Sequence, residues 1–323
     1  MLVASLCTLL FLELSCSIKE KKVALMANGD NVATIELIRD NHFSRGFNII
    51  GPNHPDVNFV KREIVGTIEL ADKEPVWRLA QWHSKFSLHT AVPSHINPGV
   101  VRIENEAKAV TIAPSDPEFG DVILAIDSRP EYRKTLRKDG QMWPHLLTEQ
   151  KMTSPAISEL KELKLHIEAK LLYSQRWEPQ GYTPVQHCAQ IPYVLTIGNI
   201  NHKSKGYGDF LWFIVPVYDD RARIPLRYVS EDTADPSAKL IFNPGASAYT
   251  NRSLHDKDWV TIDADILPVV LEGLKTAWAK GYLKDSKKLS DYAITSMNFG
   301  WEVPGLNRVA IQIRNLSLKA KCR

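Results

Sequence analysis

The sequence predicts a mostly-β protein, a β-sandwich of jelly-roll type that takes in one amphipathic helix in its C-terminal half. Three observations predict it. Short β-rich pieces follow one another closely, separated by Gly, Pro and Asn, with no βαβ alternation. The run Asp209–Asp219 is apolar on both faces in its middle and carries a carboxylate at each end, as a central strand does when its tips reach a ligand surface. The apolar period changes once, after Asp265, from two residues to steps of three and four.

In chain order, Val23–Met26 and Ala33–Ile38 are short apolar runs around the turn signal Asn28-Gly29-Asp30-Asn31. A strand from Phe43 runs into the Gly/Pro loop that ends at Pro55. Glu63–Leu70, Trp77–Thr90, Val100–Ile103, Ala109–Ile112 and Asp121–Ile126 follow as β-rich pieces. The polar stretch Arg129–Gly140 is the one candidate subdivision of an otherwise single domain, 17–323. Beyond it, His166–Tyr173, Pro192–Ile200, Phe210–Tyr218, Lys239–Phe242 and Trp259–Ile262 read as strands. The helix then places Leu267, Val270, Leu271, Leu274, Ala277 and Trp278 on one stripe. Asp263 or Asp265 can cap its start, Pro268 fits its first turn and Gly281 closes it. Asp291–Val303 and Arg308–Leu318 are the last two strands.

Composition excludes several classes. The net charge of +3 is mild. The Lys-rich segments Lys19–Lys22 and Lys319–Arg323 are terminal, so no nucleic-acid surface is expected. Residues 1–16 are apolar, too short to span a bilayer, and followed by charges. They read as a signal peptide or lipoprotein leader, with Cys16 as a lipid-anchor candidate, and the expected location is secreted or cell-envelope. Outside the leader only Cys188 and Cys322 remain, and spacing does not decide whether they pair. No phosphate loop, GxSxG or HExxH occurs, and no cofactor is expected. The oxygen-rich loops Asp232–Asp235 and Asp256–Asp258 leave a structural Ca²⁺ open, although neither matches an EF-hand.

Four clusters carry candidate chemistry. Trp143, His145 and Glu149 lie in one short stretch, where a Trp can stack on a sugar ring and His or Glu can move protons. Gln190 and Asn199 lie in the apolar run His187–Ile200, and His187 falls opposite Gln190 if that strand is regular. Tyr218, Asp219 and Arg221 emerge at the end of the central strand, Phe210–Tyr218. Asn298, Trp301 and Glu302 surround glycines that let a ligand approach the backbone. Strict alternation puts Asp219 on the face of Leu211, Phe213 and Val215, and Tyr218 on the opposite one with Trp212 and Ile214. Each cluster also has a plain reading, as core aromatics or surface ion pairs.

The strands Gly208–Asp219, Asp258–Asp263, Asn298–Glu302 and Ala310–Leu318 resemble those of jelly-roll domains in secreted carbohydrate-active proteins, among them carbohydrate-binding modules and concanavalin-like hydrolases or lyases. The short alginate-lyase signatures are missing, since Gln190-Ile191-Pro192 has proline where that pattern has histidine. The resemblance implies a sandwich and a glycan partner. The leading expectation is an exported protein that binds a polysaccharide or oligosaccharide in a groove. Trp143, His145, Gln190, Asn199, Tyr218, Arg221, Asn298 and Trp301 would line it. The alternative is an enzyme of the same fold, a glycoside hydrolase or polysaccharide lyase, working through Glu302 with Glu149 or Asp219. A structural or adhesive surface protein is the third reading.

Overall fold

The computed structural model describes residues 33–54, 63–232 and 238–323. The leader with Cys16, the run 23–26 and the turn at 28–31 lie outside the described residues. Residues 32–323 form one compact unit.

Seventeen strands and one α-helix build the described chain. The first half holds β1 (Thr34–Glu36), β2 (Gly46–Ile50), β3 (Ile64–Glu69), β4 (Trp77–Ala80), β5 (Ser94–Asn97), β6 (Val100–Glu104), β7 (Lys108–Asp116), β8 (Gly120–Asp127) and β9 (His145–Lys151). The second half holds β10 (Leu160–Arg176), β11 (Gln190–Asn199), β12 (Phe210–Asp219), β13 (Tyr228–Asp232), β14 (Lys239–Asn243), β15 (Val260–Asp265), α1 (Leu267–Ala279), β16 (Tyr292–Glu302) and β17 (Asn307–Cys322). They pair into two sheets, one of nine strands in the order β13-β14-β12-β11-β16-β9-β4-β2-β3. The other has eight, in the order β15-β10-β17-β8-β7-β6-β5 with β1 on β17. Pairing is antiparallel except between β12 and β14 and between β2 and β4. This is the predicted sandwich with its single helix.

One continuous core fills the space between the sheets, with Trp77, Trp301, Tyr193, Phe213 and Phe299 fully buried in it. Each such side chain contributes about 1.5–3 kcal/mol by leaving water. The helix packs against strands of both sheets. Its buried stripe is Leu267, Val270, Gly273, Leu274 and Ala277, and Asp265 Oδ1 accepts from the Leu267 amide at 3.0 Å. Gly281, at φ +86°, takes the left-handed turn that ends it.

Two bulges break the strict alternation of the central strands. Ile191 pairs with Tyr218 but Pro192 with Pro216, so Val217 is an extra residue on β12. Thr196 pairs with Ser296 but Ile197 with Ile294, so Thr295 is extra on β16. The first bulge overturns the expected parity at the end of β12. Tyr218 turns into the core and Asp219 turns out, onto the face of the nine-stranded sheet that carries Glu302.

Candidate functional site

At one end of that open face four neighbouring strands place polar residues side by side. The register aligns His145 on β9 with Glu302 on β16, Glu302 with Gln190 on β11, and Gln190 with Asp219 on β12. Their side chains form a continuous row. His145 Nε2 faces Glu302 Oε1 at 3.9 Å, and Gln190 Nε2 donates to Glu302 Oε2 at 2.9 Å. Arg221 donates to Gln190 Oε1 at 3.1 Å and clamps Asp219 from Nε at 2.8 Å and from its terminal nitrogen at 2.6 Å.

Each group in the row is oriented by something behind it. His145 Nδ1 lies 2.9 Å from the Trp143 carbonyl and 3.3 Å from that of Trp82. Carbonyls only accept, so Nδ1 carries the proton and Nε2 is left to face Glu302. Trp143 stacks beside the imidazole at 5.8 Å, and Arg137 lies 5.2 Å from its ring centre. The Asp219 carboxylate raises the pKa of the Arg221 guanidinium by hydrogen bonding, so the arginine keeps its charge. Burial pushes the neighbouring Cys188 thiol up to about 12, with the Arg221 guanidinium opposing it and the carboxylates of Asp220, Asp219 and Glu302 adding to it. Glu302 keeps 21% and Asp219 16% of its side-chain surface in solvent, enough for a ligand to reach each carboxylate.

Glu302 and Asp219 stand on either side of Gln190, two inter-strand spacings or about 10 Å apart at their Cα atoms. Glu149 shares their face, but it is aligned with Asn298, four residues back along β16 and so about 13 Å from the Glu302 position. Arg78 pairs with Glu149 at 3.3 Å. Glu302, Asp219, His145, Gln190 and Arg221 are thus brought together, while Glu149 and Asn298 lie further down the face.

Three other expected site residues lie elsewhere. Trp301 is fully buried, its Nε1 donating to the Leu124 carbonyl at 2.9 Å. Tyr218 packs against it edge to face at 5.7 Å, carried inward by the bulge. Asn199 is buried at the far end of β11, where it holds a loop through Ser204 Oγ at 3.2 Å and the Asn201 amide at 3.0 Å. His187 is also internal, bridging the Thr183 amide and the Arg137 carbonyl.

Sequence reasoning passed over Tyr228. It is 38% exposed on the edge strand β13. Burial pushes the phenol up to about 12, with Glu302 and Asp219 adding to it and Asn243 and Arg221 opposing. Only the folding of edge strand β13 toward the row reveals it, since Arg227-Tyr228-Val229 carries no motif.

Among the described residues no group of three or more His, Cys, Asp or Glu is placed to hold a metal ion. Asp256, half of the calcium candidate at 256–258, gives both oxygens to Arg223 at 2.6 and 2.7 Å. The candidate at 232–235 lies mostly outside the described residues. Cys188 and Cys322 are both free thiols.

Fold and face together define a jelly-roll sandwich with a carboxylate-bearing polar row on one open sheet. No protein-family model matches the chain, and no curated protein matches it. Among solved structures it is similar to endoglucanase Cel12A from Rhodothermus marinus (TM-score 0.38, 10% identity, covering 72% of this chain and 97% of that one). It is similar also to a family 12 xyloglucanase from Bacillus licheniformis (TM-score 0.39, 10% identity, 72% and 97%). A third is the family 11 xylanase from Neocallimastix patriciarum (TM-score 0.34, 6% identity, 71% and 95%).

Proposed function

We propose that this protein is a polysaccharide-cleaving enzyme, a glycoside hydrolase acting at the open face of the nine-stranded sheet. The observation that carries the reading is the setting of Glu302. One of its oxygens is held by Gln190, the other faces His145, and a second carboxylate, Asp219, lies two strands away on the same face. Glycoside hydrolysis needs a carboxyl that transfers a proton to the leaving oxygen and a second carboxylate across the scissile bond. In this reading Glu302 has the first role and Asp219 the second. Gln190 and Tyr228 would bind hydroxyls beside them. Elimination from a uronate would need a cation free to neutralise the substrate carboxylate. Arg221 already directs Nε and one terminal nitrogen to Asp219 and Gln190 and is charge-paired with Asp219, which favours hydrolysis. Export through the leader at 1–16 belongs to the same reading, with a polymeric substrate outside the cell.

Binding without cleavage is the second reading, and one observation favours it. Arginines engage both carboxylates that could partner Glu302, Arg221 on Asp219 and Arg78 on Glu149.

The test is a panel of neutral and acidic polysaccharides, followed for new reducing ends, for unsaturated products and for retardation in affinity gels. New reducing ends from the wild type, reduced at least 100-fold in E302Q with retardation unchanged, are expected. Retardation without product transfers the site to the binding reading. Unsaturated ends would replace hydrolysis by elimination.

A further inference from the structure

Beneath the site lies a buried ionic cluster that no catalytic role uses. Lys108, the first residue of β7, is 2% exposed and sends its ammonium to Ser84 Oγ and the Phe86 carbonyl, with Glu131 Oε1 at 3.6 Å. Glu131 is 3% exposed; it accepts from Ser84 Oγ and, at 2.7 Å, from the Lys85 amide. The ammonium thus has two hydrogen-bond acceptors and one counter-charge. Severing one partner of such a pair leaves an uncompensated charge in the interior, so the segments that supply the partners are held to one another.

Those segments run to the two sides of the His145–Glu302 contact. Ser84 follows Trp82, whose carbonyl accepts from the His145 amide at 3.0 Å and approaches its Nδ1. Glu131 sits in the turn after β8. There Ser128 Oγ donates to the Gly305 carbonyl at 2.6 Å and Tyr132 OH donates to the Val303 carbonyl at 3.0 Å. Val303 directly follows Glu302, and its amide bonds back to the Pro144 carbonyl at 3.1 Å. One segment therefore holds the histidine and the other the chain after the glutamate, and Lys108 joins them.

We propose that the Ser84–Lys108–Glu131 cluster is the positioning device of the site, fixing the approach and the tautomer of His145 toward Glu302 without touching a ligand. This rests on the reading of His145 and Glu302 as the functional pair. Its test needs no substrate, so the two can fail separately.

The experiment is ring-nitrogen NMR of the full-length protein, with His145 assigned by its disappearance in H145Q. Wild type should show a single tautomer protonated at Nδ1. S84A removes one oxygen and keeps the ion pair, while K108M/E131Q removes both charges together and leaves neither stranded. In each variant that still unfolds cooperatively, His145 should lose the single-tautomer pattern and show a mixture. A purely stabilising cluster would lower the unfolding midpoint and leave the His145 pattern intact. That result, or a wild type without the Nδ1 tautomer, overturns the proposal.

Discussion

Glu302 and Trp301 are chain neighbours with opposite fates, and side-chain direction alone separates them. Glu302 emerges beside Gln190, whereas Trp301 fills the core and donates its indole N–H to Leu124. Truncating Trp301 to alanine therefore removes core volume and orphans a carbonyl. A loss of about 3–5 kcal/mol of unfolding free energy is expected, read from denaturant midpoints. Glycan retardation per folded molecule should not change. A stable W301A variant that loses retardation would put the indole back in the groove. Tryptophan beside a carboxylate in a Gly-rich stretch fits a sugar platform and a core anchor equally well, and only the strand's pairing chooses between them. The polar members of the row were legible for a simpler reason. Asp219, Gln190 and Glu302 sit at the ends of otherwise apolar strands, where a charge has no structural reason to be unless the end reaches water.

At the level of strands, the sequence pattern followed the central strands up to their two bulges, overran β4, which ends at Ala80, and passed over the short strands β5 and β13. Apolar runs and turn residues located β11, β12, β16 and β17 and the helix stripe. An extra residue such as Val217 leaves no signature in composition, because Val is as good a strand former as its neighbours. Yet this bulge decides the site, since without it Asp219 would point between the sheets. The long turn between β8 and β9 was equally opaque, because its order comes from distant partners such as Val303 and Asn307. Gly300 is the position where strand geometry can be tested. Its φ of +147° disfavours a side chain, and a Cβ there would lie 2.2 Å from the Leu146 carbonyl oxygen of the adjoining strand. G300A must therefore push β9 and β16 apart between Glu149 and His145. Destabilisation of about 1–3 kcal/mol is expected, together with lower turnover than wild type at matched folded fraction. A G300A protein with wild-type stability would show that the two strands have slack at this point.

Across the whole molecule, the same buried lysine that joins the loops also links stability to pH. Desolvation lowers Lys108 from 10.5 to about 8, with Glu131 opposing it. The unfolded lysine keeps its proton up to the ordinary range, so between pH 8 and 10.5 the unfolded chain binds more protons than the folded one. Taken alone, this lysine makes stability rise with pH over that window. Cys188 acts in the other direction. Its thiol is raised from 9.0 to about 12, the folded state holds its proton longer, and stability falls as pH climbs beyond 9. The lysine therefore acts without this opposition only between pH 8 and 9, where one unit allows a gain of about 1 kcal/mol. Urea midpoints of the wild type should increase across that unit and level off above it, while those of K108M/E131Q should stay flat to pH 9 and fall beyond it, where Cys188 acts unopposed. A wild-type curve as flat as the variant's across that unit would mean that the cluster keeps its proton in both states. Lys108 would then be a permanent ion pair with Glu131, holding the two sheets' loops together at every pH the protein meets.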